Sequence, residues 1–404
     1  MKIRAITLFA DIGPPLDEAQ IARLGEFARA ARLVYEDAGF TVQTVRLATS
    51  VFPALRLSDW TDRPIEFAVA LEQMCRSHGF EYISLGPAGR DMWESLPELL
   101  AATESAFVTV SITDLATRTI KGDATWAAAR VICQAATVEA DGFANLRFAA
   151  LANVKPGTPF FPAAYYGGGP PAFAIATEAA DLALAACVDA RDAEVARWRL
   201  VAGIEKQAKQ LTRRAKKLTQ AHDLNFGGID FSLAPFPSPE TSIGAALESL
   251  SGQPLGSAGS LAAAAVLTDA IDRAQFSRCG FSGLMLPVLE DTVLANRVAE
   301  GRVRVSELLQ WSALCGAGLD TVPLPGDVNE DVLAALLFDV ASLAVRLKKP
   351  LSARLMPIPG KVAGDPVHFD FPYLTDSRVS SLGEEGAQGL LTRTAELRLA
   401  PRSR

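Results

Sequence analysis

Between Leu314 and Asp327 the chain reads LCGAGLDTVPLPGD, which sets Cys315 beside a Gly-Ala-Gly turn and Asp320 ahead of a Pro-Leu-Pro-Gly stop. A thiol attacks only as its thiolate, and that form needs a neighbouring cation or a helix N-terminus. The carboxylates of Asp320 and Asp327 oppose it. The chemistry these residues match is proton transfer, or the binding of cations or hydroxyl groups, with a buried inert thiol as the plain alternative for Cys315. Asp230, Glu290 and Asp291 occupy loop or helix-start positions beside expected strand ends, the place where ligands gather in parallel α/β folds. Their ordinary role there is to cap helices and complement the helix dipole, above all for Glu290 and Asp291. If three of these carboxylates converge with backbone carbonyls, the matching ion is a hard one, Mg²⁺ or Ca²⁺.

The motifs that are absent narrow the field. There is no GxxxxGK[ST], no HExxH and no GxSxG, and in CGAGLDT the third glycine of a dinucleotide fingerprint is replaced by Thr321. P-loop hydrolase, zincin, α/β-hydrolase and nucleotide dehydrogenase are thereby disfavoured. His78, His222 and His368 are the only histidines, and no spacing pairs them as metal ligands. Five cysteines without CxxC spacing point to a reducing cytoplasm and not to a disulfide framework. A net charge of -7 in 404 residues argues against a general nucleic-acid binder. The one basic cluster, Lys206 to Lys217, reads as the solvated face of an amphipathic helix whose apolar face is Leu200, Ile204, Ala208, Leu211, Ala215 and Leu218. No apolar run is long enough to span a membrane, since DVLAALLFDVASLAV carries Asp339.

These side chains need a scaffold, and its pattern is regular. Through the first 150 residues short β-branched runs (IRAITLF, TVQTVRL, EYISLG, AFVTVSI) alternate with longer amphipathic stretches, which predicts a mainly parallel sheet covered by helices. The segment KPGTPFFPAAYYGGGPP, 155–171, is a long Pro, Gly and aromatic loop of the kind that carries function. The second half continues the theme, for nine or ten strands in all. The GSAGS loop before Ser260 reads as a capped helix start, or as a turn that holds an anion.

The phrases FFPAAYY, GGIDFSLAPFP, SIGAALESL, GSLAAAAVLTDAI, GFSGLMLPVLED, CGAGLDTVPLPGD and LSARLMPIPGKVAGDPVHFDFPYL, in this order, resemble the prokaryotic domain-of-unknown-function family numbered seven hundred and eleven. The resemblance implies a pyruvate formate-lyase-like α/β barrel of ten strands, built from two five-stranded parallel half-sheets and associated with homodimers. It runs from near the start to about Val379, and the chain reads as one large domain, 1–382, followed by a polar tail, 383–404. Glycyl-radical enzymes of that fold pair an interior cysteine with a glycine near the C-terminus. Here the corresponding RVSSL, Arg378 to Leu382, has Ser381 at the glycine position, so no glycyl radical is expected. What the resemblance leaves is a barrel whose loop brings Cys315 and Asp320 to an interior cavity. The expected chemistry is that of an enzyme or former enzyme on a small polar or anionic metabolite, with Asp320 or Asp230 for proton transfer. Tyr165, Ser232 and Ser282 are the expected hydrogen-bond donors, and Arg354 or Lys361 the expected anion holders. The competing expectations are a metabolite-binding or regulatory protein that keeps the barrel without catalysis, and a redox sensor acting through Cys315.

Overall fold

The computed structural model describes residues 1–51, 63–383, 386 and 389–402. Its apolar runs form a nine-stranded sheet: β1 (Lys2–Phe9), β2 (Val42–Ala48), β3 (Tyr82–Pro87), β4 (Ala106–Ser111), β5 (Phe148–Ala152), β6 (Ala172–Glu178), β7 (Asn225–Asp230), β8 (Gly318–Pro325) and β9 (Leu351–Ile358). The order across the sheet is β8-β9-β5-β4-β3-β2-β1-β6-β7. Strands β1 to β5 are mutually parallel. Antiparallel contacts join β1 to β6 and β5 to β9, and beyond them β7 runs parallel to β6 and β8 parallel to β9. The segment 277–287 touches both outer strands through single bridges, Ile229 with Arg278 and Pro287 with Asp320.

Side-chain period decides the layers. In β2, Val45 and Leu47 face the helices while Thr44, Arg46 and Ala48 face the other way, and in β6 Phe173 and Ile175 alternate with Ala174 and Ala176. The helices α1 (Glu18–Glu36), α2 (Pro64–Ser77), α3 (Leu96–Ala102), α4 (Gly122–Ala135), α5 (Ala180–Cys187), α6 (Ala193–Ala221), α7 (Ile243–Ser251), α8 (Ser260–Arg273), α9 (Thr292–Ala299), α10 (Val305–Trp311) and α11 (Glu330–Leu347) follow the apolar stripes. Asp17, Asp192 and Asn329 cap three of them through backbone amides at the third position. In α6 the buried residues include the six read from the sequence as its apolar face. None of the described helices is long and apolar enough to cross a membrane.

The opposite face of the sheet is lined mostly by small residues, and the Pro/Gly/aromatic loop packs into the space they leave. Phe161 and Ala164 meet Phe9, Ala48, Phe107 and Ala174, while Tyr165 and Ala163 meet Ala149 and Leu151. Ser84 and Thr7 donate to the carbonyls of Ala164 and Pro159 and so pin the loop at two points.

Two elements differ from the sequence reading. The stretch CGAGLDTVPLPGD is not a loop throughout: Gly318–Pro325 is β8, with Leu319, Val322 and Leu324 buried. Its prolines bring no amide N–H to the ladder, and the Pro323 carbonyl accepts from the amide of Ser380. The tail is anchored as well, since Glu396–Arg398 pairs antiparallel with Thr119–Lys121. Residues 384, 385, 387, 388, 403 and 404 of it lie outside the described residues.

Candidate functional site

Strand irregularities aim two charged residues at one cavity. The register of β1 against β6 slips between Ile3 and Ala5, leaving Arg4 as the extra residue, and that of β8 against β9 slips between Leu319 and Val322. A bulge re-aims the side chain it carries. Within the second one Thr321 takes φ 42°, an uncommon backbone for a β-branched residue, and its hydroxyl accepts from the amide of Leu289 at 3.3 Å. Arg354 reaches the same place by plain alternation, sharing a face of β9 with Ser352. Glu290 ends a short 3₁₀ turn, Val288–Glu290.

These four side chains form one buried ionic network. The Arg354 Nε donates to Asp320 at 2.6 Å and its Nη2 to Glu290 at 2.8 Å. Arg4 donates to the other oxygen of Glu290 and, at 3.2 Å, to Glu178, which also accepts from Gln43. The network lies on a cavity of about 180 Å³ whose remaining wall is largely aromatic, including Tyr82, Phe107, Phe143, Phe160, Phe161, Phe281, Phe371 and Tyr373. Phe371 and Tyr373 come from the C-terminal segment, held by the Pro366–Val367 and Ser377–Arg378 ladder.

The two carboxyls titrate in opposite directions. Burial pushes Asp320 above the usual carboxylate range; Arg354 opposes the rise and the neighbouring Glu290 adds to it. Burial acts on Glu290 too, but Arg4 and Arg354 together outweigh it and hold that carboxyl below its ordinary value. The two carboxyls thus sit side by side with their affinities for a proton pushed apart, Asp320 upward and Glu290 downward.

Comparison with known proteins places the chain. The family described as Uncharacterised ACR (DUF711) matches over residues 1–377. The chain belongs to the DUF711 family. It is 32% identical over 399 residues to a UPF0210 protein of Pyrobaculum arsenaticum, covering 90% of this chain and 87% of that protein. A UPF0210 protein of Acetivibrio thermocellus is 30% identical over 353 residues, covering 82% and 77%.

Of the residues singled out in the DUF711 sequence, Asp320 and Arg354 meet at the cavity. Asp230 does not line it. That side chain is fully buried and accepts from the amides of Phe281 (2.6 Å) and Ser282 (2.7 Å) and from the Ser232 hydroxyl (2.6 Å). Burial nevertheless lifts its pKa to about 6, against those hydrogen bonds. Ser282 in turn accepts from the Phe231 amide. Asp230, Ser232 and Ser282 thus form one self-satisfied cluster that pins the loop 279–283 to β7. Gly280 is required beside it, because a Cβ there would stand 2.0 Å from the Asp230 carboxylate. Cys315 is fully buried in the helix-side core, away from the cavity lining. The Tyr165 hydroxyl donates to the carbonyl of Val154, and Lys361 lies in the turn after β9, outside the cavity. Ser381 is exposed.

Glu290 and Asp291, read alike from the sequence, have separate roles. Asp291 accepts from Val293 and Leu294 at the start of α9 and from Ile243, Gly244 and Ser242 at the start of α7, so it caps two helices. Glu290 caps nothing and belongs to the ionic network. Among the described residues no three His, Cys, Asp or Glu side chains are grouped to hold a metal, so the conditional Mg²⁺ or Ca²⁺ triad does not form there. The sequence reading of this DUF711 chain missed Arg4, Arg46 and Gln43. The available signal was a long polar or charged side chain inside a β-branched strand run, as in IRAITLF and TVQTVRL.

Proposed function

We propose that the protein is an enzyme acting on a small polar or anionic metabolite in this cavity, with Asp320 carrying the proton. The observation that supports the reading is the ionic network itself: four largely buried charges, two of them aimed by strand bulges, on a cavity with a wall rich in aromatic rings. Charges placed so are costly, because their desolvation rivals their attraction. Such arrangements concentrate where chemistry needs shifted pKa values. Arg354 and Glu290 orient the Asp320 carboxyl, Arg4 fixes Glu290, and the aromatic wall excludes water, which strengthens each charge interaction. No step uses a glycyl radical.

With this reading goes closure of the sheet into a ten-stranded, pyruvate formate-lyase-like barrel in which 277–287 supplies the tenth stave. The bridges from that segment to both outer strands support it, as does the one between Leu233 and Leu284. Association as a homodimer and residence in a reducing cytoplasm complete the reading; the five cysteines are free.

The test is incubation of wild type and Asp320→Asn with metabolite extracts in D₂O, read by mass spectrometry. Conversion or deuterium uptake in one metabolite by wild type and not by the variant is the expected result. A metabolite that binds both forms and is changed by neither would instead identify a binding or regulatory protein.

A further inference from the structure

The cavity wall holds one guanidinium more than its carboxylates occupy. Arg46 points from β2 into the cavity and is only 8% exposed. Its Nε donates to the Thr44 hydroxyl at 2.8 Å. Among the described residues no carboxylate lies within ion-pair reach of it, and its two Nη groups meet no protein acceptor. The other buried arginines on the same cavity are all engaged. Arg4 and Arg354 hold the carboxylates described above, and Arg147 donates to Thr103 and the Leu100 carbonyl and pairs with Glu139 at 3.6 Å. Arg46 is instead clasped by rings, with its guanidinium 5.5 Å from the centre of Tyr82 and 5.1 Å from that of Phe161.

Ring contacts steady a cation but leave its in-plane donors unsatisfied. A buried guanidinium without a counter-charge is unfavourable until an anion arrives. Burial and the nearby Arg4 pull its pKa down to about 10, which leaves it charged at neutral pH. What fits the free fork is a planar or tetrahedral oxyanion taken through two parallel hydrogen bonds. The rest of the wall, with Phe107, Phe143 and Phe371, fits an apolar body.

We propose that Arg46 is the receptor for the oxyanion of the ligand, and that the ligand class is an organic oxyanion, a carboxylate or phosphate monoester on a compact apolar body. The inference rests on the reading of the cavity as a substrate site and specifies what that site accepts.

Calorimetric titration of the full chain with benzoate, phenyl phosphate, benzyl alcohol and inorganic phosphate tests it. One or both aromatic anions should bind, about tenfold or more tighter than benzyl alcohol or inorganic phosphate, and the better of the two identifies the oxyanion. Arg46→Gln should weaken that anion by roughly ten- to a hundredfold while leaving benzyl alcohol nearly unchanged. Arg46→Lys, which keeps charge and loses the fork, should fall between them and serves if Arg46→Gln does not fold. Equal binding of the anion by wild type and both variants, equal binding of anion and alcohol, or binding of no probe at millimolar concentration would each overturn the proposal. Asp320→Asn separates the two readings. Anion binding retained in that variant, without any Asp320-dependent exchange in wild type, overturns the catalytic reading alone. Exchange without Arg46-dependent anion binding overturns this one alone.

Discussion

Asp230 and Asp320 are the same residue type, the first fully buried and the second mostly so, both near strand ends, and burial raises the pKa of both. Their surroundings separate them. Every donor to Asp230 is a main-chain amide or a serine of its own cluster. The donor to Asp320 is an arginine shared with Glu290, at the edge of a cavity. A carboxyl held by main-chain amides is a fastener, because removing it frees the loop that it ties to the strand. One balanced between a cation and another carboxylate can change state without unfastening any strand. The lesson is that burial and a shifted pKa do not by themselves mark a site; the identity of the donors and the adjoining space do.

The largest effect tests the ionic side. Glu290→Ala leaves Arg4 and Arg354 short of a counter-charge and should cost about 3–5 kcal/mol in urea unfolding. A loss below about 1 kcal/mol would show the network to be no more than a surface-like pair.

On the fastener side, Asp230→Ala orphans two amides and a hydroxyl and should cost about 3 kcal/mol while leaving anion binding intact. Gly280→Ala should disturb the same contact from the other partner, through steric conflict and its φ of +60°, costing about 2 kcal/mol. A loss of anion binding in either variant, with the fold retained, would erase the distinction between the two regions.

Acidity sharpens it further. The folded pKa of Asp230, about 6, lies above its ordinary 3.8, so the folded protein holds that proton more tightly than the unfolded chain. The stabilisation is complete below pH 3.8 and is lost as pH rises through about 6. It amounts to on the order of 3 kcal/mol. Unfolding measured across this window should show the slope in wild type and not in Asp230→Asn. The smallest effect is at Cys315. As a core thiol it should resist alkylation in the native protein, and Cys315→Ala should cost about 1 kcal/mol with anion binding unchanged.

The sequence by itself determined the elements and the family. The β-branched runs IRAITLF and AFVTVSI and the apolar stripe of α6 are local patterns, and local patterns suffice to say where strands run and which face of a helix is buried. It also picked out Asp320, as a carboxylate among the glycines and prolines of CGAGLDTVPLPGD, and Arg354, as an anion holder expected from the family resemblance. Tertiary structure decided the rest. Whether Arg4 and Asp320 point into the cavity depends on bulges, and a bulge exists only in the register of one strand against another. The roles of Glu290 and Asp291 diverge because one step along the chain turns a side chain from two helix ends to two arginines on distant strands. That no carboxylate among the described residues pairs with Arg46 is likewise a long-range fact: a sequence shows which charges a chain carries, and only the fold shows which of them meet.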